Sequence, residues 1–149
     1  MQRTRRWLAV AGLLALGLAL SACTQESAQG ESATVEPATV EHVEGSEVSR
    51  LTLTARAAER LGIQMTAIRA TKVAGKARTV IPYGAVLYDP NGDTWVYVAR
   101  EPRSYLREPI SVDYIQGDQA VLTDGPATGT LVVTVGAAEL HGTEVGVGH

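Results

Sequence analysis

The chain has 149 residues, 45% of them hydrophobic, with 13 Lys and Arg, 16 Asp and Glu, no Phe and one Cys. That length suits one domain plus a tail, and a lone cysteine excludes an internal disulfide. A formal charge of −3 with no basic stripe in the sequence excludes the electrostatic footprint of a nucleic-acid binder.

The first element in chain order is an apolar run. Trp7 to Leu20, 14 residues, is apolar or glycine throughout; Arg3, Arg5 and Arg6 precede it, and small residues and Cys23 follow. A bilayer span needs about 20 such residues. A basic start, a short apolar stretch and small residues are instead the layout of an export signal, predicted over residues 1–22. Leu20-Ser21-Ala22-Cys23 also resembles the bacterial lipobox. That resemblance implies cleavage between Ala22 and Cys23 and a diacylglyceryl group on the Cys23 sulfur, chemistry that uses a thiolate nucleophile. One acyl chain binds a membrane only marginally, at about 0.8 kcal/mol per buried methylene, and two or three hold firmly. The expectation is an extracytoplasmic protein attached to a bacterial membrane through acyl chains. Thr24, not Asp, follows the cysteine. This resembles the signal for the outer membrane where the host has one; otherwise the site is the outer leaflet of the cell membrane.

Cleavage after residue 22 leaves 127 residues. Between Thr24 and Val48 lie six acids (Glu26, Glu31, Glu36, Glu41, Glu44, Glu47) and no Lys or Arg. The segment holds Gln, Ser, Gly and Thr and no aromatic residue, too little apolar surface to offset ordering entropy. Residues 23–49 are therefore expected to be the lipidated cysteine and a disordered acidic tether, reaching about 25–30 Å as a flexible coil. Residues 50–149, with ten acids and ten bases from Ser49 onward, are expected to form the folded domain.

Within that domain, Thr54 can cap a short helix from Ala55 to Leu61, and Gly62 sits where a glycine stop belongs. Ile63 to Ala70 and Lys72 to Ile81 read as strands, the second broken near Gly75. Ala85 to Tyr88 is an apolar strand, Asp89-Pro90-Asn91-Gly92-Asp93 a turn, and Thr94 to Ala99 the return. Trp95, Tyr97 and Ala99 face one way and Val96 and Val98 the other. Both faces are apolar, which predicts a strand covered on both sides. Leu106 to Tyr114 alternates like a half-buried strand, with Ile110, Val112 and Tyr114 inward. Ala120 to Thr123 pairs back, Asp124 to Gly129 is a loop, and Leu131 to Val135 is a last strand. The fold class expected is mainly β: a small barrel or sandwich with one short N-terminal helix.

Motifs for catalysis are missing. No G-x-S-x-G, H-E-x-x-H or P-loop pattern occurs, and no enzyme activity or cofactor is expected. His141 and His149, eight residues apart in a Gly-rich terminus, match no standard metal geometry; with Glu139 and Glu144 they are weak candidates for a divalent ion. Asp89-x-Asn91-x-Asp93 opens like a calcium loop, but Arg100 stands where the bidentate acid belongs. Trp95 and Tyr97 could stack on a ligand, or fill the core.

Two stretches resemble a known family. Leu51-Thr52-Leu53-Thr54 with Ala58-Glu59-Arg60-Leu61-Gly62-Ile63-Gln64 is similar to the segment opening the membrane-proximal part of periplasmic adaptor (membrane fusion) proteins of resistance–nodulation–division efflux pumps. Ile81-Pro82-Tyr83-Gly84-Ala85-Val86-Leu87, followed by Gly92-Asp93-Thr94-Trp95-Val96-Tyr97-Val98, resembles their C-terminal region. The spacing of Gly117-Asp118, Gly125, Gly129, Val132-Val133 and Gly136-Ala137 is also similar. The family's lipoyl-like motifs and helical hairpin have no room here, since only Gln64 to Ile81 separates the two stretches. The resemblance implies the membrane-proximal β domain alone, a non-catalytic accessory docking on a transporter or another envelope protein. Candidate docking loops are Asp89–Asp93, with Asn91, and Asp124–Gly129, with Thr128. The rival expectation is a lipoprotein that binds a small ligand or metal.

Overall fold

A computed structural model describes residues 36–146. Ten strands and two helices follow one another as β1 (Ala38–His42), β2 (Ser49–Leu53), α1 (Ala55–Leu61), β3 (Gln64–Ala67), β4 (Arg69–Val73), β5 (Lys76–Pro82), β6 (Leu87–Tyr88), β7 (Thr94–Glu101), β8 (Ser104–Gln116), β9 (Gln119–Asp124), β10 (Leu131–Val135) and α2 (Ala137–Glu144). One turn of 3-10 helix, Tyr83–Ala85, precedes β6. The strands run β3-β10-β7-β8-β9-β5-β4, with β6 on β7 and the β1–β2 hairpin on β8, and every pairing is antiparallel.

The two ends of that order, β3 and β4, are joined by the single residue Ile68. Its N–H donates to Thr130 O and its carbonyl accepts from Gly129 N, both at 2.9 Å. The sheet therefore curls until its ends are consecutive in the chain, a half-barrel. The expected mainly β, barrel-like class is what the molecule has.

The curl explains why β7 is apolar on both faces. Val96 and Val98 join Ile68, Ile81, Ile110, Ala120, Leu122 and Val132 in one core. Tyr97 points the opposite way and packs with Leu51, Leu53, Tyr105, Val133, Ala137 and Leu140 beneath α1, α2 and the β1–β2 hairpin. Burying a Leu- or Val-sized side chain contributes about 1.5–3 kcal/mol.

Helix α1 begins and ends as its sequence dictates. Thr54 Oγ1 accepts from Ala57 N at 3.2 Å, and Gly62 takes a left-handed φ of 60° that glycine adopts without the Cβ clash.

The structure corrects four expectations. The strand expected from Ile63 to Ala70 is interrupted at Ile68, where β3, paired with β10, gives way to β4, paired with β5. Residues 38–42, assigned to the tether, form strand β1, whose cross-strand pair Glu41–Arg50 joins opposite charges. The C-terminal stretch is not a Gly-rich tail as far as residue 144 but helix α2. It carries a glycine at 142 that costs helix stability, and packing of Ala137 and Leu140 on the core compensates. Strand β8 runs beyond Tyr114, and its alternation breaks at register shifts between Ser111, Val112 and Tyr114. Tyr114, expected inside, is exposed because those bulges rotate the strand as it passes from β7 to β9.

The export signal, Leu20, Ser21, Ala22 and Cys23, the first part of the tether, and His149 lie outside the described residues. No described helix is long and apolar enough to cross a membrane.

Candidate functional site

The site is built outward from the turn before β7. Asp89 Oδ1 accepts from Asn91 N at 2.8 Å and from Asp93 N at 2.9 Å, an Asx turn that closes the loop on itself. Asp89 Oδ2 accepts from the Trp95 indole at 3.3 Å. Desolvation raises the Asp89 pKa, but the backbone donors of Asp93 and Asn91 and the Trp95 indole outweigh it and hold the carboxyl below its usual range.

Trp95 is half-buried. The Arg107 guanidinium lies over its ring, 4.5 Å from the centroid, a cation–π contact. Arg107 comes from β8, directly opposite Tyr97 in the ladder, so the two share the helix-covered face. There they meet Glu144 of α2. Arg107 Nε donates to Glu144 Oε2 at 3.1 Å, Tyr97 Oη donates to the same oxygen, and Ser49 N donates to Oε1 at 2.9 Å. The Arg107 and Glu144 side chains are 11% and 3% exposed. Burial first, then the Glu144 carboxylate, push the Tyr97 hydroxyl far above its ordinary value. A chain of contacts thus runs from the Asp89 turn through Trp95 and Arg107 to the C-terminal helix.

Beside Trp95 is an open groove of about 730 Å³, walled by Tyr88, Gly92–Trp95 and Pro109–Val112. Its far wall begins the second half of β8. Residues 111–116 pair with β9 on one side; among the described residues no strand covers the other side. That edge carries exposed Tyr114 and Ile115, and Tyr88 at the groove's lip is 53% exposed. Free backbone donors and acceptors beside an aromatic shelf suit an extended segment laid against the edge.

Of the residues singled out in the sequence, Asp93 lines this groove, while Asp89 is spent on its own turn and Asn91 stands exposed at the tip. Asp124 and Thr128 line a separate concavity of about 250 Å³ with Thr79 and Leu122, so the two loops do not share a site. His141 lies on α2, half-buried, with Nδ1 enclosed and without a hydrogen-bond partner. Among the described residues no three His, Cys, Asp or Glu side chains converge as a metal would need. Arg107 is not singled out by the sequence, and Glu144 only as a weak metal candidate beside His141, not as the partner of Arg107. The usable signal was Arg107 alone in a strand paired with apolar β7, since a cation there needs a buried acid.

Comparison with known protein families, curated proteins and solved structures gives no match.

Proposed function

We propose that the chain is an extracytoplasmic lipoprotein whose β domain docks, without catalysis, on a transporter or another envelope protein. Acyl chains on Cys23 would hold it to the membrane, and attachment raises its local concentration so that weak docking suffices. The export-signal layout, the lipobox-like Leu20–Cys23 and the resemblance to efflux adaptors support this reading. The observation that carries the docking role is the groove beside Trp95, bordered by the unpaired edge of residues 111–116. A photocrosslinking residue at Tyr88 tests it in native membranes. The expected result is an adduct with an integral transport component that is lost when Trp95 is replaced by Ala. An adduct pattern identical at Tyr88 and at Ala138, on the outside of α2, would count against docking.

A second reading rests on the same groove. Trp95 lies in a concave site rather than wholly inside the core, as a small-ligand lipoprotein would need. Tryptophan emission that shifts saturably with a small apolar or aromatic solute would favour it.

A further inference from the structure

The β4–β5 hairpin carries charge of one sign. Between Arg69 and Pro82 lie Arg69, Lys72, Lys76 and Arg78 and no acid. Arg69 to Lys72 is exposed at every position, so both faces of β4 are in solvent, and Lys76 and Ala77 are exposed as well. β9 pairs with β5 only from Thr79 onward, so the hairpin stands free of the sheet at its tip. Arg78 reaches Asp113 at 3.7 Å; among the described residues the other three cations have no acidic partner within ion-pair distance.

The opposite sign collects elsewhere. Residues 83–99 hold no Lys or Arg and carry Asp89 and Asp93, and the turn between β8 and β9 carries Asp118. Asp113 and Asp124 stand nearer the hairpin, Asp113 facing Arg78 and Asp124 just past Leu122, which pairs with Thr79. Register relates the two regions. Pro82 lies opposite Gln119, and Gln119 opposite Gln116, at the turn that holds Asp118. Lys76, at the other end of β5, therefore points away from that turn. The chain joins the fold on the same far side: Ala38 pairs with Leu53, whose N–H donates to Arg103 O at 2.9 Å, beside the start of β8.

We propose that the β4–β5 hairpin is a contact surface for anionic lipid headgroups, seating the domain with its cationic tip on the bilayer and the Asp118 turn away from it. Cations near an anionic surface are attracted individually and additively. The small tip residues Ala74 and Gly75 let Lys72 and Lys76 approach the headgroups together. The orientation, though not the hairpin's affinity, rests on the anchor proposed at Cys23. Residues 24–37 span at most about 50 Å fully extended, which keeps the hairpin within reach of the membrane.

The test uses the full-length chain on vesicles of phosphatidylcholine, with or without phosphatidylglycerol, carrying a headgroup quencher. A fluorophore is placed at Ala74→Cys or, at the acidic end, at Asn91→Cys, with labelling of Cys23 read from the unsubstituted chain. On phosphatidylglycerol vesicles, quenching at position 74 should exceed that at 91 by roughly threefold or more, and high salt should erase the excess by screening. Lys72→Glu with Lys76→Glu should erase it too while leaving circular dichroism unchanged. Equal quenching at both positions, or an excess that survives the double substitution, overturns the proposal. Flotation separates the two readings. A chain that fails to float with phosphatidylcholine vesicles has lost the acyl anchor, yet phosphatidylglycerol-dependent quenching at position 74 would still support the hairpin.

Discussion

Strand β7 and the β4–β5 hairpin are opposite solutions to being a strand. Val96, Tyr97 and Val98 are all fully buried, and the neighbouring Arg107 is neutralised by a carboxylate from the last helix. Arg69 to Lys72 is solvated on both faces and gains nothing from packing. In one region sequence is spent on holding the fold; in the other it is free to meet a partner. Substitutions should therefore divide into those that unfold the domain and those that leave it folded while changing what it touches.

The largest effect should come from Glu144→Ala, which strands Arg107 in a nearly closed site. Removing one member of a buried pair costs about 3–5 kcal/mol, readable as a lowered urea midpoint. Replacing both partners, as Arg107→Met with Glu144→Leu, should cost markedly less. On the hairpin, Lys72→Glu with Lys76→Glu should change the same midpoint by no more than about 0.5 kcal/mol per substitution.

Next comes alkaline pH. The Tyr97 hydroxyl titrates well above its ordinary value because of burial and Glu144. Its contribution is thus fully present below about pH 10, the unfolded value, and is lost as pH rises further. Denaturation midpoints should fall as pH rises past about 10, and Tyr97→Phe should lessen the fall; Tyr105 and Tyr88, also raised chiefly by burial, add to it.

At acid pH the sign reverses. Because Asp89 is held below its usual 3.8, its contribution is present above that value and fades as pH drops through the folded one. Asp89→Asn should flatten this limb and red-shift Trp95 emission as the indole loses its acceptor. The smallest effect belongs to the hairpin tip. Ala74 sits at a φ of 50°, and Ala74→Gly should raise stability by less than about 1 kcal/mol, since relief of the left-handed strain is partly offset by glycine's entropy. The hairpin's vesicle contact should persist.

Much of the fold was legible in local chemistry. Thr54 and Gly62 bracket α1, Asp89–Asp93 closes its turn, and the two apolar faces of Thr94–Ala99 announce a strand covered twice. What stayed hidden depends on distant partners. Strand β1 disappears in the average composition of an acidic segment because its support comes from Arg50 and the rest of β2. Helix α2 contains a glycine and borrows its stability from the core. The site was half visible: Trp95 and the Asp89 turn stand out, but Glu144 lies 37 residues from Arg107, and no periodicity links a terminal acid to a strand. The four cations of the hairpin are spread over ten positions and read as scattered charge until Lys72 and Ala77, and Val73 and Lys76, are seen side by side.

The proposed membrane role depends on Cys23 most directly. Intact mass analysis of protein extracted from native membranes should find residue 23 at the N-terminus, carrying diacylglyceryl mass, and a Cys23→Ser chain should leave the membrane fraction without that mass. A free thiol at residue 23 in an uncleaved chain, or a serine variant that stays with the membrane unchanged, would contradict it.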